Sequence, residues 1–290
     1  MKLPDFDFLE PESVAEACAL LAGDPEGSVL MAGGTDVLVL LKERQLDCRR
    51  LVSLGKIEAL RTIEVGDGGL TIGAMATVNQ VAHHPGIRER YPGIVDAAMS
   101  LAADQVRNQA TVAGNLCMAV PSADTAPILL VHDASLRVAS PDGERTVPLR
   151  ELFLGPRETV LKAGDVVVAI EVPPAGPGEG SASLRHGGRA SLSLPVASAA
   201  AWLRLEGGVC TDARIALGSV APTPLLVPEA GDIVAGCELM PEVLAAAGAA
   251  ARAAARPIDD MRGSKSFRLE LVDVLTRRVL TTAAIRAGAA

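Results

Sequence analysis

The chain has 290 residues, with 27 Lys and Arg against 35 Asp and Glu and a formal charge of −8, and a length of this order suggests about two domains. Hydrophobic residues at 49% and charged residues at 21% exclude a chain kept disordered by low hydrophobicity and high charge. An acidic balance, only one Trp, one Tyr and four Phe, and no Lys/Arg-rich block exclude the electrostatic footprint and stacking platforms of a nucleic-acid binder.

Uncharged stretches such as 190–203, which also contains Pro195, fall short of the roughly 18 residues a membrane helix needs. The amino terminus has no apolar signal-peptide core, so a cytoplasmic location is expected. The five cysteines (Cys18, Cys48, Cys117, Cys210, Cys237) show no C-x-x-C spacing, and reduced, mostly buried thiols are expected. His83 and His84 precede Pro85 and read as the solvated end of a helix, so no metal is assigned.

In chain order, residues 13–22 have helical periodicity, and Ser13 and Glu16 have capping-box spacing. Residues 28–32 read as a short buried strand ending at Gly33-Gly34. Thr35-Asp36 then lead into a helix over 37–42, and 51–54 read as another strand, giving a small β-α-β unit. Period-two patterning at 61–65 and 70–72 around Gly66-Asp67-Gly68-Gly69 predicts a hairpin. Thr77 and Gln80 offer a second capping box for a helix to about His83, and 87–103 supplies further helical turns. A second hairpin is predicted from 136–139 and 145–149 around Pro141-Asp142-Gly143, then a strand over 166–172. The Pro/Gly-rich segment 173–180 cannot hold a helix or a central strand, so a domain boundary is placed there. Beyond it, 196–205 and 214–220 read as strands around a Gly207-Gly208 turn, followed by helices over about 241–255 and 267–287.

A glycine pair between a strand and a helix lets backbone N–H groups approach a phosphate closely, although an ordinary tight turn has the same signature. Residues 104–115 crowd small and amide-bearing side chains into an apolar context, as a second backbone cradle or an Asn-capped polar loop would. There is no G-x-G-x-x-G, Walker A, G-x-S-x-G or H-E-x-x-H pattern and no distinguishable acid/base pair. Neither a Rossmann site, a P-loop nor a hydrolase is supported, and no catalytic side chain is assigned.

Two segments together carry a more specific likeness. Ala32-Gly33-Gly34-Thr35-Asp36 and Arg107-Asn108-Gln109-Ala110-Thr111-Val112-Ala113-Gly114-Asn115 resemble the two pyrophosphate loops of the FAD-binding medium subunits of molybdenum hydroxylases, such as carbon monoxide dehydrogenase and xanthine dehydrogenase. The second loop is usually written R-N-x-A-T-I-G-G-N in that family. The resemblance spans nearly the whole chain. It includes Pro121-Ser122-Ala123-Asp124, Thr159-Val160-Leu161, Arg185, and a carboxy-terminal signature at 214–224 and 260–264 followed by Phe267-Arg268.

The resemblance implies an α+β fold: an FAD-binding domain of the PCMH/VAO type over 1–175, with α/β subdomains of about 1–56 and 57–175. A smaller domain of antiparallel strands flanked by helices would follow over 176–290. It implies that Ala32, Gly33, Gly34, Thr35 and Asp36, with Thr111, Val112, Ala113, Gly114 and Asn115, donate backbone N–H groups to the FAD pyrophosphate. Asp124 would accept from cofactor hydroxyls, and Leu161 and Arg185 would lie beside the flavin ring. Ala113 stands where the family has the first glycine of a pair, which is tolerable if φ there is negative and the methyl faces away from the phosphates. Around 191–195, where many relatives place an aromatic, Leu192 and Leu194 would cover one ring face with aliphatic carbon. The spacing of the cysteines excludes the cluster-binding loop that some relatives carry.

As to function, the resemblance implies an electron-transfer subunit holding FAD, with the molybdenum cofactor and 2Fe–2S clusters on partner subunits only. The large molybdenum subunit and small iron–sulfur subunit would join it as a dimer of heterotrimers, delivering electrons that pass to NAD, quinone or oxygen. The alternatives are a stand-alone flavin oxidoreductase of the same fold, disfavoured by the lack of a loop Cys or His for covalent attachment, and a non-enzymatic nucleotide-binding scaffold.

Overall fold

The computed structural model describes residues 3–189 and 192–288. Its amino-terminal unit runs β1 (Asp7–Leu9), α1 (Val14–Gly23), β2 (Ser28–Met31), α2 (Val37–Lys42) and β3 (Arg50–Ser53), with the strands in a parallel sheet of order β1-β3-β2. Parallel neighbours need crossovers, and α1 and α2 supply them. The first strand escapes the sequence reading because three residues carry no readable period. Ser13 accepts the Glu16 N–H at 3.2 Å, but Glu16 accepts the Glu12 N–H, so the expected reciprocal box is displaced by one residue.

The second unit contains β4 (Ile63–Gly66), β5 (Gly69–Gly73), α3 (Val78–His83), α4 (Pro85–Arg90), α5 (Pro92–Ser100), α6 (Asp104–Arg107), α7 (Val112–Cys117) and α8 (Ala126–Val131). It continues with β6 (Ser135–Ser140), β7 (Gly143–Pro148), α9 (Leu149–Leu152), the small hairpin β8 (Phe153–Gly155) and β9 (Glu158–Thr159), and β10 (Val166–Val172). The five long strands form an antiparallel sheet of order β4-β5-β10-β6-β7. Thr77 and Gln80 make both bonds of their capping box. The helical stretch predicted over 87–103 is divided at Pro92, which lacks an N–H and starts a new helix as Pro85 does before it, and the second piece ends at Ser100.

The carboxy-terminal unit is an antiparallel sheet of β11 (Glu179–Gly187), β12 (Pro195–Glu206), β13 (Val209–Gly218) and β14 (Leu225–Leu226), followed by α10 (Pro228–Val234), α11 (Pro241–Ala254) and α12 (Lys265–Ala287). The predicted linker holds no element from Pro173 to Gly178, but Glu179 and Gly180 already belong to β11, whose small and polar residues hide its period. Gly207 and Gly208 have φ of +58° and +88°, the left-handed pair that a two-residue hairpin turn demands.

Strand β12 is buried on both faces. Ala200 and Trp202, with Ala216 of β13, join the core of the second unit, whereas Ala197, Ala199, Ala201 and Leu203 face a separate core with α11 and α12. Alanines allow this, because short side chains let backbone approach from either side. At Gly180 a β-carbon would stand 2.0 Å from the Ala283 carbonyl oxygen of α12. The linker is fastened by Tyr91, whose hydroxyl donates to the Pro173 carbonyl at 3.0 Å and accepts the Ala175 N–H at 3.2 Å. Arg286 of α12 bonds Asp96 of α5 and the Ser181 carbonyl, closing the same interface.

Candidate functional site

The loop after β2 and the loop between α6 and α7, about eighty positions apart in sequence, lie in direct contact. A β-carbon at Gly33 would stand 1.8 Å from the Gln109 carbonyl oxygen, so glycine is the residue that lets the loops close. Gly34 has φ +74°, the left-handed region that lets β2 turn directly into α2. Among the described residues, the backbone N–H groups of Gly33, Gly34, Thr35 and Asp36 have no hydrogen-bond acceptor.

The second loop is held rigid from within. Arg107 is buried; its guanidinium donates to the Met99 and Leu101 carbonyls at 3.2 and 2.8 Å and bonds Asp104 at 2.6 Å, so it braces the loop rather than facing solvent. The Ala110 carbonyl accepts the Val78 N–H at 2.8 Å, and Asn108 accepts from Asn79 at 2.7 Å. Thr111 caps α7, its hydroxyl accepting the Gly114 N–H at 3.0 Å and its carbonyl accepting the Asn115 N–H. A β-carbon at Gly114 would come within 2.8 Å of that hydroxyl. Of the five backbone donors expected here, Gly114 and Asn115 are therefore already engaged and the antiparallel bridge between Thr77 and Thr111 directs the Val112 N–H at the Ala76 carbonyl, which leaves the Thr111 and Ala113 N–H groups without partners among the described residues. The side chain of Val112 is in the core. Ala113 is also only 4% exposed and has no positive φ, so its methyl is directed into packing.

Both loops open into one cleft of about 720 Å³, in the size range of small-molecule and cofactor sites. It is lined by Ala32, Gly33, Gly34, Thr35, Asp36, Thr111, Ala113, Gly114, Asn115, Asp124 and Leu161. Val112 and Arg185 do not line it. The amino-terminal unit adds apolar walls from Val29, Leu40 and Leu46, and later segments add Leu101, Val106, Met118, Leu192 and Leu194. No aromatic side chain is among the described lining residues, and Ser191 lies outside the described residues.

Hydrogen bonds connect the second loop to the carboxy-terminal sheet. Asn115 accepts the Thr125 N–H and hydroxyl at 3.2 and 2.7 Å, which fixes the segment bearing Asp124. Asp124 accepts from Arg185 of β11 at 3.3 Å, and Arg185 also donates to the Ser193 carbonyl at 2.7 Å. Arg185 thus stands behind Asp124 rather than beside the cleft. Burial pushes the Asp124 carboxyl up to about 6, against the opposing pull of Arg185. Crowding by the cleft walls likewise raises Asp36, with the charge of Arg157 acting the other way. Asp165 is desolvated too, but its bonds to Arg145 and the Lys162 N–H outweigh this and leave it below the usual carboxylate range. Burial drives the Cys117 thiol up to about 12, so it is no nucleophile.

Lining residues outside the expected set include Arg157 and Ala102. They have φ of +65° and +45°, as Leu192 has +53°, so non-glycine residues in left-handed backbone gather around the cleft. Chain pattern carries no signal for this. The described residues contain no His/Cys/Asp/Glu cluster able to hold a metal, five free cysteines, and no helix long and apolar enough to cross a membrane.

The cleft, its unpaired backbone donors and its apolar walls fit a dinucleotide with a planar ring system, within a molecule whose third sheet is clasped to it. Residues 4–175 match the FAD binding domain in molybdopterin dehydrogenase, and residues 163–283 match the CO dehydrogenase flavoprotein C-terminal domain. The chain is 34% identical to the xanthine dehydrogenase FAD-binding subunit of Escherichia coli O157:H7, covering 98% of each chain. It is 32% identical to the carbon monoxide dehydrogenase medium chain of Hydrogenophaga pseudoflava, covering 97% of each. The solved carbon monoxide dehydrogenase from that organism superposes with a TM-score of 0.95 over 99% of both chains at 32% identity, and quinoline 2-oxidoreductase from Pseudomonas putida 86 with 0.93 at 31%, again over 99% of both. The chain belongs to the FAD-binding medium subunits of the molybdenum hydroxylase family.

Proposed function

We propose that the cleft holds FAD in an extended pose and that the subunit relays electrons from 2Fe–2S clusters of a small partner subunit to an external acceptor. A large subunit would carry the molybdenum cofactor, the assembly being a dimer of heterotrimers. Bound FAD supplies all the redox chemistry. The tasks of the chain are to bind, orient and shield.

In this reading the N–H groups of Gly33, Gly34, Thr35 and Asp36, with those of Thr111 and Ala113, hydrogen-bond the diphosphate. Asp124 accepts from a cofactor hydroxyl, kept in position by Asn115 through Thr125 and by Arg185. Leu161, Leu192 and Leu194 exclude water from the ring. Residues 1–175 form the FAD-binding domain and 176–290 the domain that completes it. The observation that carries the reading is the contact of Gly33 with Gln109, which joins two donor-bearing loops at one cleft.

The test is purification from the native host. Yellow protein releasing FAD on heating, or colourless protein that takes up stoichiometric FAD, supports the site. Co-eluting molybdenum and iron–sulfur subunits support the relay. Protein that neither carries nor takes up flavin refutes both.

A further inference from the structure

Three carboxylates line the cleft. Two have a guanidinium in the wall beside them, Arg185 at 3.3 Å from Asp124 and Arg145 at 2.5 Å from Asp165. The third, Asp36, has no ion-pair partner within 4.0 Å among the described residues. One cationic side chain lines the cleft among the described residues, that of Arg157.

Arg157 occupies the turn between β8 and β9, where its backbone is fixed. Its N–H donates to the Ala119 carbonyl at 2.8 Å, and both residues are in left-handed conformations, at φ +65° and +46°. A non-glycine residue held there costs about 1 kcal/mol or more, a strain that persists where the surroundings impose it. The guanidinium itself is exposed and makes no hydrogen bond or ion pair with any described residue. A rigid turn thus presents a cation with no hydrogen-bonded partner to a cleft in which its charge acts on the carboxylate of Asp36 from a distance. Backbone N–H groups give a phosphate hydrogen bonds but no net charge, so a diphosphate entering beside Asp36 needs a cation to offset the repulsion.

We infer that Arg157 is the charge partner of the diphosphate, a positioning residue that closes the backbone cradle from the β8–β9 turn. The inference rests on the reading of the cleft as an FAD site, and it names the one side chain that makes the cleft select a doubly anionic ligand.

The test titrates flavin-stripped full-length protein with FAD and with ADP, at salt from about 0.05 to about 0.5 M. In wild type, both affinities fall as salt rises. Arg157→Gln should weaken both ligands about ten- to hundred-fold at low salt and flatten the salt response, with the melting temperature of the flavin-free protein unchanged. Arg157→Lys, which keeps the charge, should stay within about threefold of wild type. Unchanged ADP affinity in Arg157→Gln, an unaltered salt response, or equal losses in the Lys and Gln variants would overturn the inference while leaving the FAD site intact. Failure of wild-type protein to bind either ligand would overturn the FAD reading itself, and the inference with it.

Discussion

The carbonyl oxygen of Gln109 occupies the space that the β-carbon of any other residue at position 33 would fill, at 1.8 Å from that point. The two donor loops are therefore at closest approach, and their separation is set by the absence of a side chain at Gly33.

Gly33→Ala should push the loops apart. The overpacking should cost about 1–3 kcal/mol and reduce flavin retention out of proportion to that loss. The flavin-to-protein absorbance ratio after gel filtration, read beside a thermal melt, checks this. Full flavin content with an unshifted melt would show that the loops do not touch at this point.

Thr111→Val keeps the shape of the side chain and removes the hydroxyl that accepts the Gly114 N–H. Loss of the cap should cost about 1 kcal/mol, measurable by urea unfolding. A companion change of Gly114 to Ala meets the same hydroxyl at 2.8 Å, so the double variant should be less destabilised than the sum of the two single changes.

Asp124 titrates at about 6 in the folded flavin-free protein, against an ordinary 3.8. Between those values the folded state holds the extra proton, so this group's contribution is fully present below about pH 4 and is lost as pH rises through 6, to the extent of about 3 kcal/mol. Asp124→Asn cannot ionise. Whatever its absolute stability without the Arg185 pair, its stability relative to wild type should climb from pH 4 to 6.5 in urea titrations. A difference independent of pH would place the Asp124 carboxyl in solvent.

His132 works in the opposite direction. Its Nε2 is buried without a partner, its ring meets Tyr91 edge-on at 5.7 Å, and burial, reinforced by the charge of Arg214 and opposed by Glu179, lowers it to about 4 from 6.5. The unfolded chain takes up the proton first, so stability present above pH 6.5 is lost as pH falls toward 4, again by about 3 kcal/mol. His132→Phe keeps the edge-on contact without the titration and should melt higher than wild type at pH 5 than it does at pH 7.5, relative to wild type at each pH. In wild type, the Asp124 and His132 contributions nearly cancel over this window.

Much of the architecture follows from local chemistry. Strands β2 and β3 of the parallel unit are legible as short apolar runs, both hairpins of the second sheet and the turn at Gly207-Gly208 as strands punctuated by glycine, and the helix over 37–42 follows its strand and glycine pair. Strands β1, β11 and β14 and helix α10 are not legible, being short, or small and polar, and stabilised by neighbours distant in sequence. At the site, the two loops are conspicuous for their glycines and amides, but their contact is a tertiary fact. The same holds for the brace formed by Arg107, the support that Asn115 gives Thr125, and the position of Arg185 behind Asp124. Arg157 draws no notice in a sequence where Arg is common, since its distinction is to face a cleft whose other charged lining residues are Asp36, Asp124 and Asp165.

Because β12 carries Ala200 and Trp202 on one side and Ala199, Ala201 and Leu203 on the other, it serves two hydrophobic interiors at once. The carboxy-terminal unit is thus not a detachable module. Cut free near residue 175 it would present a bare apolar sheet face to water, and the remainder would lose the floor beneath α5 and α8. Chimaeras between relatives should therefore keep α5 and α8 together with the sheet they cover, since that interface and not the linker sets where the chain can be exchanged.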